Sequence, residues 1–341
     1  MRAMGENNGG RGGALRSIIL FIGLLGLLAA GALGVGGYFA WREAKKPGPL
    51  GADAVVLLKP GSSVSAIATE LAAAGAIRNE TLFVAAVRVK GAQAALKAGE
   101  YKIPARASVL DVIGLLVEGK SILHYFTAPE GRTSAQVLRG LGEDETLLGD
   151  LTLMPAEGEL LPETYAYTRG ETRDGMIRLM TKAQDDLIER LWNDRATDLP
   201  YTTREEAIIL ASIVEKETGV PDERPRIAAV FVNRLKRGMR LESDPTVIYG
   251  LTQGEPLGRG LRVSELRKET PYNTYLIKGL PPTPIANPGR HSIEAVLNPM
   301  ETRDIFFVAD GTGGHAFAET LAEHNRNVAK WRKVEREAAE E

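Results

Sequence analysis

The chain has 341 residues, 44% of them hydrophobic and 25% charged, a balance that supplies enough apolar material for two globular domains. Its 42 basic and 44 acidic residues leave a net charge of −2, which argues against a nucleic-acid partner, since such binders carry a basic excess. There is no cysteine, which excludes disulfides, thiol nucleophiles and thiolate metal sites together.

Residues 1–16 are rich in Gly, Asn and Arg and read as a disordered cytoplasmic tail. Residues 17–41 carry no charge, and 18–28 are strongly apolar. That length suffices for a bilayer, so one N-terminal transmembrane helix is expected, with Tyr38 and Trp41 at its interfacial end. A cleaved signal peptide is the rival, because Ala30-Gly31-Ala32 has the form of a cleavage site. The apolar run continues past that point and favours an anchor. Basic residues flank both ends, Arg2, Arg11 and Arg16 before and Arg42, Lys45 and Lys46 after, so charge does not orient the span. Residues 42–53, with Lys46-Pro47-Gly48-Pro49, form a stiff linker.

A small α+β module is expected over residues 54–130. Residues 54–58 read as a buried strand, and Ser62 or Ser63 caps a helix carrying Val64, Ile67, Ala68 and Leu71. A second helix holds Leu82, Phe83, Ala86 and Val87. Residues 99–103 form another strand, Ser108 caps a third helix closed by Gly119, and residues 122–126 form a third strand. No catalytic constellation lies in this module. From residue 131 to 330 polar and aromatic clusters become dense, with long helices over 173–194 and from 203 onward, as in a mixed α/β catalytic domain. Residues 331–341 are a charged tail. The fold class is therefore α+β, with one transmembrane helix, a small module and a catalytic domain in chain order.

The helix opening at Thr203 carries the chemistry. Thr203 and Glu206 have capping-box spacing. Residues 207–211 with Ile213 and Val214 then place apolar side chains around nearly the whole circumference, which marks a buried helix. It ends in Glu215-Lys216-Glu217-Thr218-Gly219. A carboxyl desolvated at such an end holds its proton more tightly and suits general-acid work. Periodicity does not choose between Glu215 and Glu217, and both also fit solvated helix-end acids, one of them paired with Lys216 or Arg224. Rival chemistries lack support. His124, His291, His315 and His324 show no metal-ligand spacing. Gly311-x-Gly313-Gly314 follows no strand-to-helix unit, and Ser212 lies inside a helix rather than on a strand-to-helix elbow. No metal and no cofactor is expected. Carboxylate chemistry in an aromatic, Asn-rich setting suits sugars.

Residues 210–218, Leu-Ala-Ser-Ile-Val-Glu-Lys-Glu-Thr, resemble the catalytic segment of the endolytic murein transglycosylase (YceG-like) family. The similarity continues through Asn233-Arg234-Leu235, Ser243-Asp244-Pro245-Thr246, Tyr249-Gly250, Pro271-Tyr272-Asn273-Thr274-Tyr275, Pro281-Pro282, Asn287-Pro288-Gly289 and Gly313-Gly314-His315. Upstream it includes Glu157-Gly158 and Leu161-Pro162-Glu163-Thr164-Tyr165; Glu159-Leu160 departs from the aromatic residues many relatives carry. It covers roughly residues 50–330.

The resemblance implies that Glu215 is the catalytic residue and that residues 54–130 are a LysM-like glycan-binding module. It implies a single-pass protein of the inner membrane with its bulk on the periplasmic or extracellular side. The reaction cuts nascent glycan strands between N-acetylmuramic acid and N-acetylglucosamine, leaves 1,6-anhydro ends, and terminates or releases strands made by peptidoglycan synthases, which are the expected partners. Supporting roles fall on Glu163, Ser212, Glu217, Asn233, Asp244, Tyr249, Asn273, Tyr275 and His315. Two alternatives stay open: a hydrolytic muramidase on the same site, and a non-enzymatic adaptor anchored at the membrane.

Overall fold

The computed structural model describes residues 11–340, which divide into two compact units: residues up to 123 with 168–170, and residues 124–167 with the remainder. The first ten residues of the expected tail lie outside the described residues, and helix α1 spans Arg11–Ala44. The expected transmembrane helix is not upheld: among the described residues no helix is long and apolar enough to cross a membrane. Length is not the obstacle, since α1 has 34 residues. Glycines recur in its second half, at Gly31, Gly34, Gly36 and Gly37, before Arg42 and Glu43 close it. The fold class is corrected to a mixed α+β chain.

The rest of the first unit follows the expected element order. Strand β1 (Ala54–Leu58) leads into α2 (Val64–Ala73) and α3 (Glu80–Val89), then β2 (Gly99–Ile103) and α4 (Val109–Glu118). β1 and β2 are antiparallel, with Ala54 opposite Ile103 and Leu58 opposite Gly99. The helix starts are set locally: Ser63, Asn79 and Ser108 each accept a backbone N–H with the side chain, and Gly119 closes α4 in the left-handed conformation. Val56 and Leu58 from the sheet meet Leu71, Phe83, Val87 and Leu116 from the helices in one core. Tyr101 is buried among them and donates its hydroxyl to the Lys97 carbonyl at 2.9 Å, so its polar atom is satisfied there.

Next in the chain come β3 (Leu123–Thr127), α5 (Ser134–Glu143), β4 (Thr164–Thr168) and α6 (Arg173–Asn193), which but for Leu123 and Thr168 belong to the second unit. β3 and β4 form a two-stranded sheet. Leu141 of α5, Tyr165 and Tyr167 of β4 and Met176 and Met180 of α6 share one apolar cluster. Then come α7 (Arg204–Glu217), α8 (Arg224–Lys236), α9 (Asp244–Thr252), the short α10 (Val263–Leu266) and α11 (Arg290–Leu297). An antiparallel hairpin, β5 (Phe306–Ala309) with β6 (His315–Ala318), precedes α12 (Leu321–Glu340).

The core that positions the site lies where α7, α8 and α11 pack together. Ala211 and Val214, Ile227 and Phe231, and Ile293 and Val296 are all buried there. α7 starts as its sequence dictates: Thr203 Oγ1 accepts the Glu206 N–H at 3.2 Å, and Glu206 returns a carboxylate oxygen to the Thr203 N–H at 3.1 Å. Every residue from Ala207 to Val214 is buried. The C-terminal turn of α7 therefore meets the first turn of α8 and the N-terminus of α11, a junction of three helix ends.

Candidate active site

Two carboxyls leave the end of α7 in different directions, because residues two apart on a helix lie about 200° apart around its axis. Glu215 points to the helix-end junction. Its side chain is only 5% exposed. Oε2 accepts the Gly289 N–H at 2.9 Å, and Oε1 lies 3.5 Å from Nη2 of Arg224. Gly289 is the residue that caps the N-terminus of α11, where the aligned peptide dipoles favour an anion. The same Arg224 nitrogen reaches Glu130 Oε2 at 3.3 Å. Burial pushes the Glu130 carboxyl above the usual range, the charge of Glu215 adds to that, and Arg224 pulls it back.

A cleft of about 480 Å³ runs beside this group, lined by Glu130, Gly131, Lys216, Tyr249, Gly254 and Ile285 among others. Gly131 forms part of its wall in a left-handed conformation, and a Cβ added there would stand 3.6 Å from Cγ of Glu215 and 3.4 Å from Cδ of Lys216. Lys216 donates to the Gly131 carbonyl at 3.2 Å. Burial and the charge of Arg132 push its ammonium down, against the pull of Glu215.

Glu217 belongs to a second polar group. Its carboxylate accepts the Ser243 hydroxyl at 2.5 Å. Enclosure of that carboxyl raises it to about 7, the Ser243 hydrogen bond lowers it, the charge of Asp244 raises it, and Arg234 lowers it. Asp244 in turn accepts the Tyr275 hydroxyl at 2.7 Å. Burial, then the bond to Asp244, holds the Tyr275 phenol well above its ordinary range. So Glu217, Asp244 and Tyr275 are brought together, and Glu215 stands apart from them with Arg224 and Glu130.

The other expected site residues have structural partners. Ser212 is fully buried, donates to the Ile209 carbonyl at 2.7 Å and accepts the Ile285 N–H at 3.0 Å, which pins the loop after Pro282 to α7. Asn233 donates to the carbonyls of Thr302 and Asp304 at 2.9 and 3.0 Å. Asn273 is fully buried and donates to the carbonyls of Leu266 and Lys268 at 3.1 and 2.8 Å. Tyr249 lines the cleft, with its ring edge-on to Tyr272 at 4.8 Å. Glu163 lies 3.6 Å from Arg290. His315 is clamped by Glu223, which accepts both its backbone N–H and its Nδ1 at 2.7 Å.

Residues 56–330 match the model of the YceG-like family. The chain belongs to the YceG-like family. A Bacillus subtilis (strain 168) protein named endolytic murein transglycosylase is 31% identical over 303 residues, spanning 80% of this chain and 82% of its own length. A Streptococcus pneumoniae protein of the same name is 29% identical over 367 residues, spanning 92% of this chain. This chain covers 64% of that longer relative. Among solved structures, a YceG-like protein of Listeria monocytogenes matches with TM-score 0.52 and 30% identity, over 81% of this chain and 98% of its own.

In this YceG-like chain three residues outside the expected set complete the site: Glu130, Arg224 and Asn287. Asn287 is fully buried, and its Oδ1 accepts the N–H groups of Gly158 and Leu160 at 3.0 and 3.1 Å. Its backbone carbonyl accepts the Gly131 N–H at 3.0 Å, and its Nδ2 donates to the Arg132 carbonyl at 3.1 Å. It thereby ties the upstream Glu157–Leu161 motif to the loop that carries Glu130. The signal for Asn287 was present in the Asn287-Pro288-Gly289 motif. Glu130 sat in what read only as a turn before a helix cap, and Arg224 was legible only as a cation that could pair with one of the helix-end acids.

Proposed function

We propose that this chain is an endolytic murein transglycosylase that cuts peptidoglycan glycan strands between N-acetylmuramic acid and N-acetylglucosamine, with Glu215 as its acid/base. The observation that carries this reading is the placement of Glu215: a nearly buried carboxyl at a helix-end junction, against the Gly131 wall of the cleft. The activity named for the Bacillus relative supports it. Protonated Glu215 donates its proton to the glycosidic oxygen as the C1–O bond breaks. The resulting carboxylate then takes the proton of the muramyl C6 hydroxyl while that oxygen bonds to C1. No water is consumed, so the second carboxylate that hydrolysis demands for activating water is not required.

Residues 54–103 support a LysM-like glycan-binding reading for the first unit, because they run strand, helix, helix, strand with the two strands antiparallel. With that substrate, the chain works outside the cytoplasm, where glycan strands are extended, and peptidoglycan synthases are its natural neighbours there. The test is incubation of the protein with uncrosslinked glycan strands, followed by mass spectrometry of the products, beside Glu215→Gln. Anhydro-muramyl ends from the parent protein alone support the lyase. Reducing ends would change the reaction to hydrolysis on the same acid. Cleavage by the Gln variant would remove Glu215 from the chemistry.

A further inference from the structure

We infer that Glu130 is a positioning residue for the reaction at Glu215: through the Arg224 guanidinium they share, it offsets positive charge that would otherwise fall on Glu215 alone, and so lets Glu215 hold the proton the leaving oxygen must receive. The inference rests on the proposed role of Glu215. Its starting point is a conflict in that site. The Gly289 N–H, the N-terminus of α11 and the Arg224 guanidinium all turn positive charge or dipole toward Glu215. A general acid needs the opposite bias. A second anion on the same cation supplies it, since a nearby like charge disfavours ionisation.

Three observations place Glu130 in that role. One terminal nitrogen of Arg224 serves both carboxylates, at 3.3 Å to Glu130 and 3.5 Å to Glu215. The Arg224 side chain is 9% exposed, and its Nε has no hydrogen-bond partner among the described residues. Second, Glu130 lines the cleft with its side chain 40% exposed, whereas Glu215 is enclosed. The outer anion thus stands between solvent and the inner pair. Third, the backbone at position 289 is bare where it meets Glu130: a Cβ there would fall 2.0 Å from Glu130 Oε1. The residue that donates its N–H to Glu215 therefore also leaves room for Glu130 to reach Arg224.

The remaining charges around this group have other partners or weaker reach. Lys216 on α7 is bonded to the Gly131 carbonyl, and Arg132 on the Glu130 loop opposes the charge of Lys216. His291 on α11 draws Glu130 toward ionisation. Arg290 turns to Glu163, and Glu223, just before α8, turns to His315.

The test measures the pH profile of kcat/KM on uncrosslinked glycan strands for the full chain, Glu130→Gln, Glu130→Asp and Glu215→Gln. With Glu130 neutralised, the limb on which activity falls as Glu215 loses its proton should move to lower pH by about one pH unit, a tenfold loss of proton affinity, and Glu130→Asp should restore it at least in part. A merely structural role for Glu130 would lower the rate without moving that limb. If Glu130→Gln is too slow to profile, a carbon-13 titration of the Glu215 carboxyl in the parent and variant reads the same midpoint directly. An unmoved limb with an unmoved Glu215 midpoint, or a shift to higher pH, overturns the inference and leaves the role of Glu215 standing. Full activity of Glu215→Gln overturns both.

Discussion

Ser243 donates its hydroxyl to Glu217 at 2.5 Å, on a different side of α7 from the contacts of Glu215. One helix end thus carries two carboxyls in separate polar environments. Because enclosure raises Glu217 to about 7 against 4.5 for an ordinary glutamate, the folded state binds more protons than the unfolded chain between those values. The folded chain therefore loses stability as pH rises through that window. Glu217→Gln removes the slope. Relative to the parent, the Gln variant should gain on the order of 1–3 kcal/mol between about pH 4.5 and pH 7. Urea unfolding at both pH values measures the difference, and parallel curves would mean that Glu217 is ionised in the fold.

Asn287→Ala should be costly. It strips the buried N–H groups of Gly158 and Leu160 of their acceptor, and an abandoned buried donor costs about 1–3 kcal/mol. A loss of about 2–4 kcal/mol would lower Tm by roughly 5–15 °C in a unit of this size. Calorimetry on the full chain checks it; a drop of only a degree or two would show that water replaces the amide.

Gly289→Ala separates activity from stability. The new methyl would collide with the far end of the Glu130 side chain, which can swing into the cleft at a cost of about 1 kcal/mol or less. Folding should survive. Cleavage should fall by about tenfold, because the carboxylate that shares Arg224 has been displaced and a displaced pair of hydrogen-bonding distance is worth about 1.4 kcal/mol. Equal rates for parent and variant would show that the Glu130 position is immaterial.

Arg224→Met leaves Glu130 and Glu215 facing each other without their shared cation. Removing one partner of a buried charge group costs about 3–5 kcal/mol at neutral pH. The two carboxyls then take up protons more readily in the folded state than in the unfolded one, so stability should recover as pH falls toward about 5. Thermal unfolding across that range tests the direction. A variant that stays as unstable at low pH would point to lost packing instead.

Much of the fold could be read from local patterns. Thr203 with Glu206, and Ser63 and Ser108 ahead of their apolar runs, are short-range signals whose bonds close within three residues. The buried run 207–214 was equally plain, and so was the placing of a carboxyl at its end. Glu215 and Glu217 could not be separated from periodicity, because both angles border apolar side chains; only the tertiary partners, Gly289 and Arg224 for one and Ser243 for the other, tell them apart. Ser212, Asn233 and Asn273 sit in motifs rich enough to suggest substrate contact, yet their polar atoms are spent on backbone groups of neighbouring loops. Glu130 was illegible for the converse reason: its partner is 94 residues away. The N-terminal span was read from length and absence of charge alone, and among the described residues no helix is long and apolar enough to cross a membrane.

The distances along the chain have a consequence for when activity can arise. Glu130 meets Arg224 across 94 residues, and Glu215 meets Gly289 across 74. Contacts of that sequence separation close late, since the loop entropy must be met before they form. A growing chain that has reached Glu215 still lacks Gly289, 74 residues further on. An enzyme that cuts load-bearing polymer would by this arrangement stay inert through its own synthesis, and acquire its edge only with the last turn of packing.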